Sequence, residues 1–291
     1  MQYGISILLS GISLGGQYAL IAIGYTMVYG ILRLINFAHG DVFMVAGLMG
    51  IYFSATLPLY IALPLVLVMT VVLGFLIERL AYKPLRTAPR MSVMISAIGV
   101  SYFLQNTATY ITGGQPMVYP EISWLTKTVT IAGTPTKLVV LITPVLVILL
   151  VLGLTQLINH TKVGMAMRAV SRDFETAQLM GIKINSVISV TFIIGSALAA
   201  IAGVLLCSTY PQLTPYTGAM PGIKAFVAAV FGGIGSIPGA MIGGILLGVI
   251  EILSKAFISS ELADAIVFGV LIVVLVVKPT GILGKKINEK V

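Results

Sequence analysis

Apolar runs of about twenty residues recur along this chain, and they limit its fold more than any other feature. A helix of roughly 20 apolar residues matches the hydrocarbon thickness of a bilayer. The 291 residues are 58% hydrophobic and only 9% charged, with a mean hydropathy of +1.08. Because a soluble domain is about 25% charged, we predict an all-α integral membrane protein, a polytopic bundle of helices.

The apolar runs predict about nine membrane-spanning helices, with the N-terminus outside. The predicted spans are residues 5–31, 38–56, 59–78, 92–112, 138–158, 187–209, 220–235, 239–257 and 264–278. Eight or ten crossings are also compatible with the sequence, because residues 36–41 and 232–239 have the polarity or glycine content of helix breaks inside a membrane. The first run is also compatible with a break, near Gly15–Gly16. We expect it to be an uncleaved helix, since no basic region or small-residue cleavage pattern precedes it.

The basic residues lie mainly in three short segments, 79–91, 159–186 and the tail from 278. The tail carries Lys278, Lys285, Lys286 and Lys290. The positive-inside rule places all three segments in the cytoplasm. The net charge of +8 is therefore read as a topology signal and not as a nucleic-acid surface. No linker or charge run divides residues 1–291, so a single transmembrane domain is predicted.

The segment 159–186 is unusually polar for a loop between two apolar runs. A single helix from about Gly164 to Met180 would place four apolar residues along one side, Met167, Val170, Phe174 and Ala177. Arg168, Arg172 and Glu175 lie on its other faces, where a partner can reach them. Gly181 stands where a helix C-cap is expected. The alternative is an interfacial helix lying on lipid headgroups.

The sequence INFAHGD, residues 35–41, interrupts apolar sequence with Asn36, His39 and Asp41. Asp41 is predicted to cap the helix that follows it. A helix that begins inside the membrane offers free N–H groups and a positive dipole end to a carboxylate substrate. These three residues are therefore candidates for a translocation path. A capped turn at the cytoplasmic end of a span is the alternative.

Glycines punctuate residues 231–248 in two ways. Gly235, Gly239 and Gly243 recur every four residues, which predicts close packing between helices. Gly232, Gly233 and Gly235 also form a break, followed by Pro238 at the predicted start of a new helix. We keep these three glycines as further candidates for the translocation path.

The remaining polar residues give no sign of catalysis. The sequence contains no GxxxxGK[ST] phosphate-binding loop, no HExxH, no GxSxG and no His/Cys cluster with metal spacing. We therefore predict no cofactor, no metal and no enzymatic activity in this chain. Glu78 is predicted to reach water beside Arg79, and Glu251 is predicted to pair with Lys255 four residues on.

The chain resembles the H-type permease subunits of bacterial high-affinity branched-chain amino acid ABC importers. The stretches that carry the resemblance are YALIAIGYTMVYGI (18–31), INFAHGD (35–41), ISAIG (95–99), FLQN (103–106), RAVSRDFETAQLMGI (168–182), FVAAVFGGIGSIPGAMIGG (226–244) and KPTGILG (278–284). They run from one end of the chain to the other. Residues 58–76 and 113–137 contribute little.

The resemblance implies a permease in the bacterial inner membrane that works by alternating access. Its implied partners are a second, M-type permease, two ATP-binding subunits and a periplasmic binding protein that delivers leucine, isoleucine or valine. The implied coupling residues are Gly164, Arg168, Glu175, Ala177 and Gly181. Family members often have an acidic pair where this chain has Ser171–Arg172–Asp173, so the contacts of Arg172 stay open. Alternatives are a related permease for urea, amides or other amino acids, and a transporter without a motor.

Overall fold

The computed structural model describes residues 2–86, 88–131 and 134–284, and the chain in it is mostly helical. Lys285, Lys286 and Lys290 of the predicted basic tail lie outside the described residues. In chain order the elements are α1 (Gln2–Leu32), α2 (His39–Thr56), α3 (Leu59–Ile77), a π-helical turn (Glu78–Tyr82), a 3-10 turn (Lys83–Leu85), α4 (Arg90–Thr112), β1 (Met117–Val118), α5 (Ser123–Thr126), β2 (Thr128–Ile131), β3 (Thr134–Lys137), α6 (Leu138–His160), α7 (Lys162–Arg172), α8 (Phe174–Leu179), α9 (Ile184–Thr209), β4 (Gln212–Leu213), α10 (Ala219–Gly232), α11 (Ile237–Phe257) and α12 (Ala263–Val277).

A helix lies over each of the predicted spans, which confirms an all-α membrane architecture. Five segments of the described chain are long and apolar enough to cross a bilayer by themselves. They are Gly4–Leu32, Leu59–Leu85, Leu138–His160, Ile184–Thr209 and Ile237–Phe257. α10 and α12 are apolar but shorter. α1 runs unbroken through Gly15–Gly16, so the break considered there does not occur.

α1 is the centre of the bundle and packs most extensively against α11 and α9. The contact with α11 is antiparallel and runs through glycines. A β-carbon on Gly15 would lie 2.6 Å from Cα of Ile245, and one on Gly244 would lie 2.6 Å from Cα of Ala19. These glycines allow close packing of the two backbones. Of the predicted stripe, Gly239 and Gly243 contact the backbone of α10 in the same way, whereas a β-carbon on Gly235 would meet no atom of another segment within 4 Å.

The connections gather at two ends of the bundle. At one end β1 pairs antiparallel with β4, with Met117 opposite Leu213, and β2 pairs with β3 as a hairpin. The other end carries the break at 33–38, the turns after α3, and α7 with α8. The segments predicted to be basic and cytoplasmic thus share one end.

Candidate functional site

The segment predicted to contact the ATP-binding subunits begins with a tight corner between α6 and α7. Thr161 caps α7, because its Oγ1 accepts a hydrogen bond of 3.1 Å from the N–H of Gly164. A β-carbon on Gly164 would overlap the backbone of Ile158 and lie 2.5 Å from its carbonyl carbon. Arg168 donates a hydrogen bond to the carbonyl oxygen of Ile158. Gly164 and Arg168 therefore hold α7 against the last turn of α6.

The prediction of one helix from Gly164 to Met180 is wrong, because Asp173 divides it into α7 and α8. Asp173 has an extended backbone, with φ −155° and ψ 116°. Its carboxylate accepts hydrogen bonds from the hydroxyl of Thr176 (2.7 Å) and from the N–H groups of Thr176 (3.1 Å) and Glu175 (2.9 Å). These bonds, those from Thr176 first, hold the pKa of Asp173 below its usual value. A side chain that satisfies two free amides favours a new helix start.

Gly181 closes the segment as a C-cap, as predicted. Its φ is +82°, and its N–H donates to the carbonyl of Gln178 at 3.0 Å. The N–H of Ile182 donates to the carbonyl of Ala177 at 3.1 Å. This pair of bonds returns the chain sharply after the last turn of a helix, and a positive φ favours glycine there.

The two short helices have one buried and one exposed side. The buried residues are Gly164, Met167, Val170 and Ala177, at the predicted three- and four-residue spacing, whereas Phe174 is 37% exposed. The outward-facing residues are Arg172, Glu175, Gln178, Leu179 and Met180. Leu179 is 87% and Met180 78% exposed. Exposed large apolar side chains are typical of a surface that contacts a protein or a membrane, and the sequence analysis did not single out these two.

A cavity of about 950 Å³ adjoins this segment. It lies between Phe174 and Gln178 on one side and the starts of α4 and α9 on the other. Three basic residues line it, Arg86, Arg90 and Lys183. Burial lowers the pKa of Arg86, and its ion pair with Glu78 opposes that shift.

Glu78 does not reach water, and that prediction is wrong. Its side chain is fully buried, forms an ion pair with Arg86, and accepts a hydrogen bond of 2.8 Å from the hydroxyl of Ser189. The π-helical turn after α3 places it there, facing α9. A buried carboxylate is stable when a cation and further donors surround it, so this group fastens the cavity wall to α9.

The break between α1 and α2 is built around Asn36, which is buried. Its Oδ1 accepts hydrogen bonds from the hydroxyl of Tyr82 (2.8 Å) and from the N–H of Ala38 (3.1 Å). The prediction that Asp41 caps α2 is wrong, because α2 begins at His39 and Asp41 lies inside its first turn. The side chain of Asn36 instead binds the N–H of Ala38, the residue that precedes the first turn of α2.

His39 is held between two glycines. A β-carbon on Gly24 of α1 would overlap the imidazole, and one on Gly195 of α9 would lie 3.6 Å from its Cε1. The ring of Tyr25 meets it edge-on with centroids 4.9 Å apart. The imidazole thus fills the space that the glycines leave between α1 and α9.

Asp41 faces α4. Its Oδ1 accepts a hydrogen bond of 2.9 Å from Nε2 of Gln105, and its Oδ2 accepts one from the hydroxyl of Ser101. The adjacent Gly40 packs on the start of α10, where a β-carbon would lie 2.6 Å from the carbonyl oxygen of Gly218. The N-terminal ends of α2 and α10 therefore meet inside the bundle.

Gly232, Gly233 and Gly235 lie elsewhere, in the turn between α10 and α11. Gly233 and Gly235 have φ of +105° and +93°. The segment KPTGILG covers this turn, since the N–H groups of Ile282 and Leu283 donate to the carbonyls of Phe231 and Gly232, both at 2.9 Å. The last carbonyls of α10 are thereby satisfied. The structure does not bring these glycines next to Asp41.

Lys224 of α10 joins charges from three helices. Its ammonium lies 2.9 Å from Glu251 of α11 and 2.6 Å from Asp264 of α12. Glu251 also pairs with Lys255 at 2.6 Å, as predicted, and accepts a hydrogen bond of 2.9 Å from the hydroxyl of Tyr18. The i,i+4 spacing indicated one pair, but nothing local in the sequence indicated Lys224 as the centre.

In the described part of the chain, no group of three or more His, Cys, Asp or Glu side chains is arranged to hold a metal ion. The arrangement as a whole consists of a packed helical bundle, a two-helix projection at its basic end, and helix starts that meet in its interior.

The comparisons with known proteins identify the family. A family model described as "Branched-chain amino acid transport system / permease component" matches residues 7–275. The chain is 44% identical to the high-affinity branched-chain amino acid transport system permease protein LivH of Escherichia coli K12, over 99% of this chain and 98% of that protein. It is 43% identical to LivH of Salmonella typhimurium LT2, with the same coverage, and 42% identical to BraD of Pseudomonas aeruginosa, over 98% and 97%. The chain therefore belongs to the family of branched-chain amino acid transport system permeases.

Proposed function

We propose that this chain is the permease subunit of an ATP-driven importer for leucine, isoleucine and valine in the bacterial inner membrane. The observation that carries the proposal is the two-helix projection α7–α8 at the basic end of the bundle. Relatives with 42–44% identity over nearly their whole length are named as permeases of branched-chain amino acid transport systems. The substrate assignment follows theirs.

In this proposal residues 1–291 form one domain that crosses the membrane about nine times, with the N-terminus outside. The support is the positive-inside rule, together with the shared end of the basic segments. α10, with 14 residues, is short for a complete crossing at roughly 1.5 Å per residue. Its start beside Gly40 supports a helix that begins within the membrane.

The partners are a second, M-type permease, two ATP-binding subunits, a periplasmic amino-acid-binding protein and the surrounding lipid. ATP binds to the ATP-binding subunits, and this chain contributes no catalytic group or cofactor. Gly164, Arg168 and Ala177 seat the projection on the bundle, and Gly181 ends it. Arg172 and Glu175 face the ATP-binding subunits. The α7–α8 projection is attached at both ends to membrane-spanning helices, so it transmits the closure of the ATP-binding subunits to the path between the two permeases.

Cysteine cross-linking tests the interface directly. The single native cysteine of the sequence, Cys207, is buried, so an added cysteine provides the reactive site. We expect Leu179→Cys to cross-link to an ATP-binding subunit in native membranes. Trp124→Cys, 59% exposed at the opposite end, is the control and is expected to give no such product. Equal products from both variants, or none from Leu179→Cys, would contradict the proposed interface.

A further inference from the structure

α4 carries polar side chains on a surface that other helices of this chain leave open. α4 packs chiefly on α2 and on the π-helical turn. Ser101 and Gln105 are four residues apart, so they share a face of the helix, and both are partly exposed. Polar side chains in a membrane helix face water, a partner or a bound solute and avoid lipid. These two polar side chains are therefore reachable from outside the chain.

Behind Ser101 and Gln105 lies the carboxylate of Asp41, a residue that is only 2% exposed. Both of its hydrogen-bond donors are neutral. Among the side chains that the structure describes, no Lys, Arg or His nitrogen lies within 4.0 Å of it. The other buried carboxylates, Glu78 and Glu251, each have a cation at that distance. Asp41 thus differs from them in lacking a counter-charge.

The position of Asp41 suits a ligand. Ser101 and Gln105 lie in the middle of α4, so the carboxylate lies far from both ends of that helix. Asp41 is also in the first turn of α2, directly after the break at 33–38. The positive end of the helix dipole stabilises the carboxylate in part. A helix dipole end corresponds to about half a unit charge, so an additional cation is still favourable there.

We propose that Asp41, with Ser101 and Gln105, receives the ammonium group of the amino acid as it moves along this face of α4. The inference rests on the proposed function. An ammonium group is a donor with three N–H bonds. The Asp41 carboxylate, the Oε1 of Gln105 and the Oγ of Ser101 supply acceptors for it. A hydrogen bond between charged groups is stronger than a neutral one. The apolar side chain of the substrate requires no hydrogen-bond partner.

The test uses the complete complex with its binding protein in proteoliposomes and compares Asp41→Asn with wild type. Asparagine keeps the size of the side chain and one acceptor oxygen, but it removes the charge and replaces the second acceptor oxygen with an N–H donor. We expect basal ATP hydrolysis to be retained and amino-acid uptake to fall about tenfold to a hundredfold. Asp41→Glu is expected to recover part of the uptake. The matched control, Asp264→Asn, leaves Lys224 paired with Glu251 and is expected to stay within about twofold of wild type.

Uptake by Asp41→Asn within about twofold of wild type would overturn the inference. If Asp41→Asn does not assemble, Gln105→Leu and Ser101→Ala decide instead. Reduced uptake with normal basal ATP hydrolysis in both supports the site, and normal uptake in both overturns it. A wild-type complex that hydrolyses ATP but carries no amino acid would overturn the proposed function itself, before any variant is compared.

Discussion

The corner between α6 and α7 gives the sharpest structural prediction, through Gly164→Ala. A β-carbon at this position would overlap the carbonyl oxygen and Cα of Ile158 and lie 2.5 Å from its carbonyl carbon. All three atoms belong to the backbone, so no side-chain rotation relieves the overlap. The φ of Gly164 is not in the positive range, which means that the glycine is required for space and not for backbone conformation.

The cost follows from this geometry. Overpacking a well-packed site costs about 1–3 kcal/mol, and backbone neighbours place Gly164→Ala at the upper end. About 3 kcal/mol corresponds to roughly a hundredfold shift between α7 seated on α6 and α7 displaced. Gly153→Ala, in the neighbouring helix α6, is the matched control. No atom lies within 4 Å of its added β-carbon, and alanine is favoured over glycine in a helix interior by about 0.5–1 kcal/mol.

The assay measures ATP hydrolysis and amino-acid uptake by the reconstituted complex for both variants. We expect Gly164→Ala to hydrolyse ATP while uptake falls strongly, because a displaced α7 no longer transmits motor closure. Gly153→Ala should match wild type in both measurements. An equal ratio of amino-acid uptake to ATP hydrolysis in the two variants would refute the claim that the packing of α7 on α6 is needed for coupling.

Three further perturbations test other parts of the structure. Gly181→Val should reduce uptake while the protein stays in the membrane, because the φ of residue 181 is +82°. Gly181→Asn should retain more uptake, since asparagine tolerates this conformation. Equal uptake by both variants and wild type would exclude a need for the tight C-cap. Asp173→Ala should loosen α8 and weaken uptake, whereas Asp173→Asn should keep the cap. Hydrogen bonding lowers the pKa of Asp173 in the folded protein. The stabilisation by its carboxylate is therefore complete above the pKa of the unfolded chain, about 3.8, and is lost as the pH falls through the lower pKa of the folded protein. An uptake profile that changes near neutral pH in wild type but not in Asp173→Asn would contradict this. Lys224→Met should lower the free energy of unfolding of the detergent-purified protein by about 1–3 kcal/mol, since Asp264 loses its cation and Glu251 keeps only Lys255. Adding Glu251→Gln should recover part of the loss, and no difference between the single and double variants would show that the charges are uncoupled.

The sequence was sufficient for the helices because the bilayer selects them by hydropathy. Each predicted span contains a helix, and the C-cap at Gly181 follows from local chain chemistry that glycine alone satisfies well. Gly239 and Gly243 were also predictable as packing residues, since a four-residue spacing places small residues on one face of a helix, but Gly235 lies in the turn before α11.

Two of the errors arise from competition between local patterns. The apolar spacing of Met167, Val170 and Ala177 continues across Asp173, so the periodicity predicted one helix. The hydrogen bonds from Thr176 to the Asp173 carboxylate instead favour a new helix start at this point. Likewise Asp41 was predicted to cap α2, but α2 begins two residues earlier and the Asp41 carboxylate accepts hydrogen bonds from Ser101 and Gln105 of α4.

Other features depend on partners that are distant in sequence. Glu78 is buried because Ser189 of α9 meets it, and Lys224 is buried because α11 and α12 supply Glu251 and Asp264. Residues 282–283 close the end of α10 in the same way. No spacing rule encodes such contacts, since they arise only when the helices are packed.

The most direct test of the central claim is leucine uptake by proteoliposomes that contain this chain, its second permease and its ATP-binding subunits, with binding protein outside. ATP enclosed in the vesicles should drive leucine accumulation, and collapse of the proton gradient should not reduce it. Accumulation without ATP that disappears with the proton gradient would contradict an ATP-driven importer.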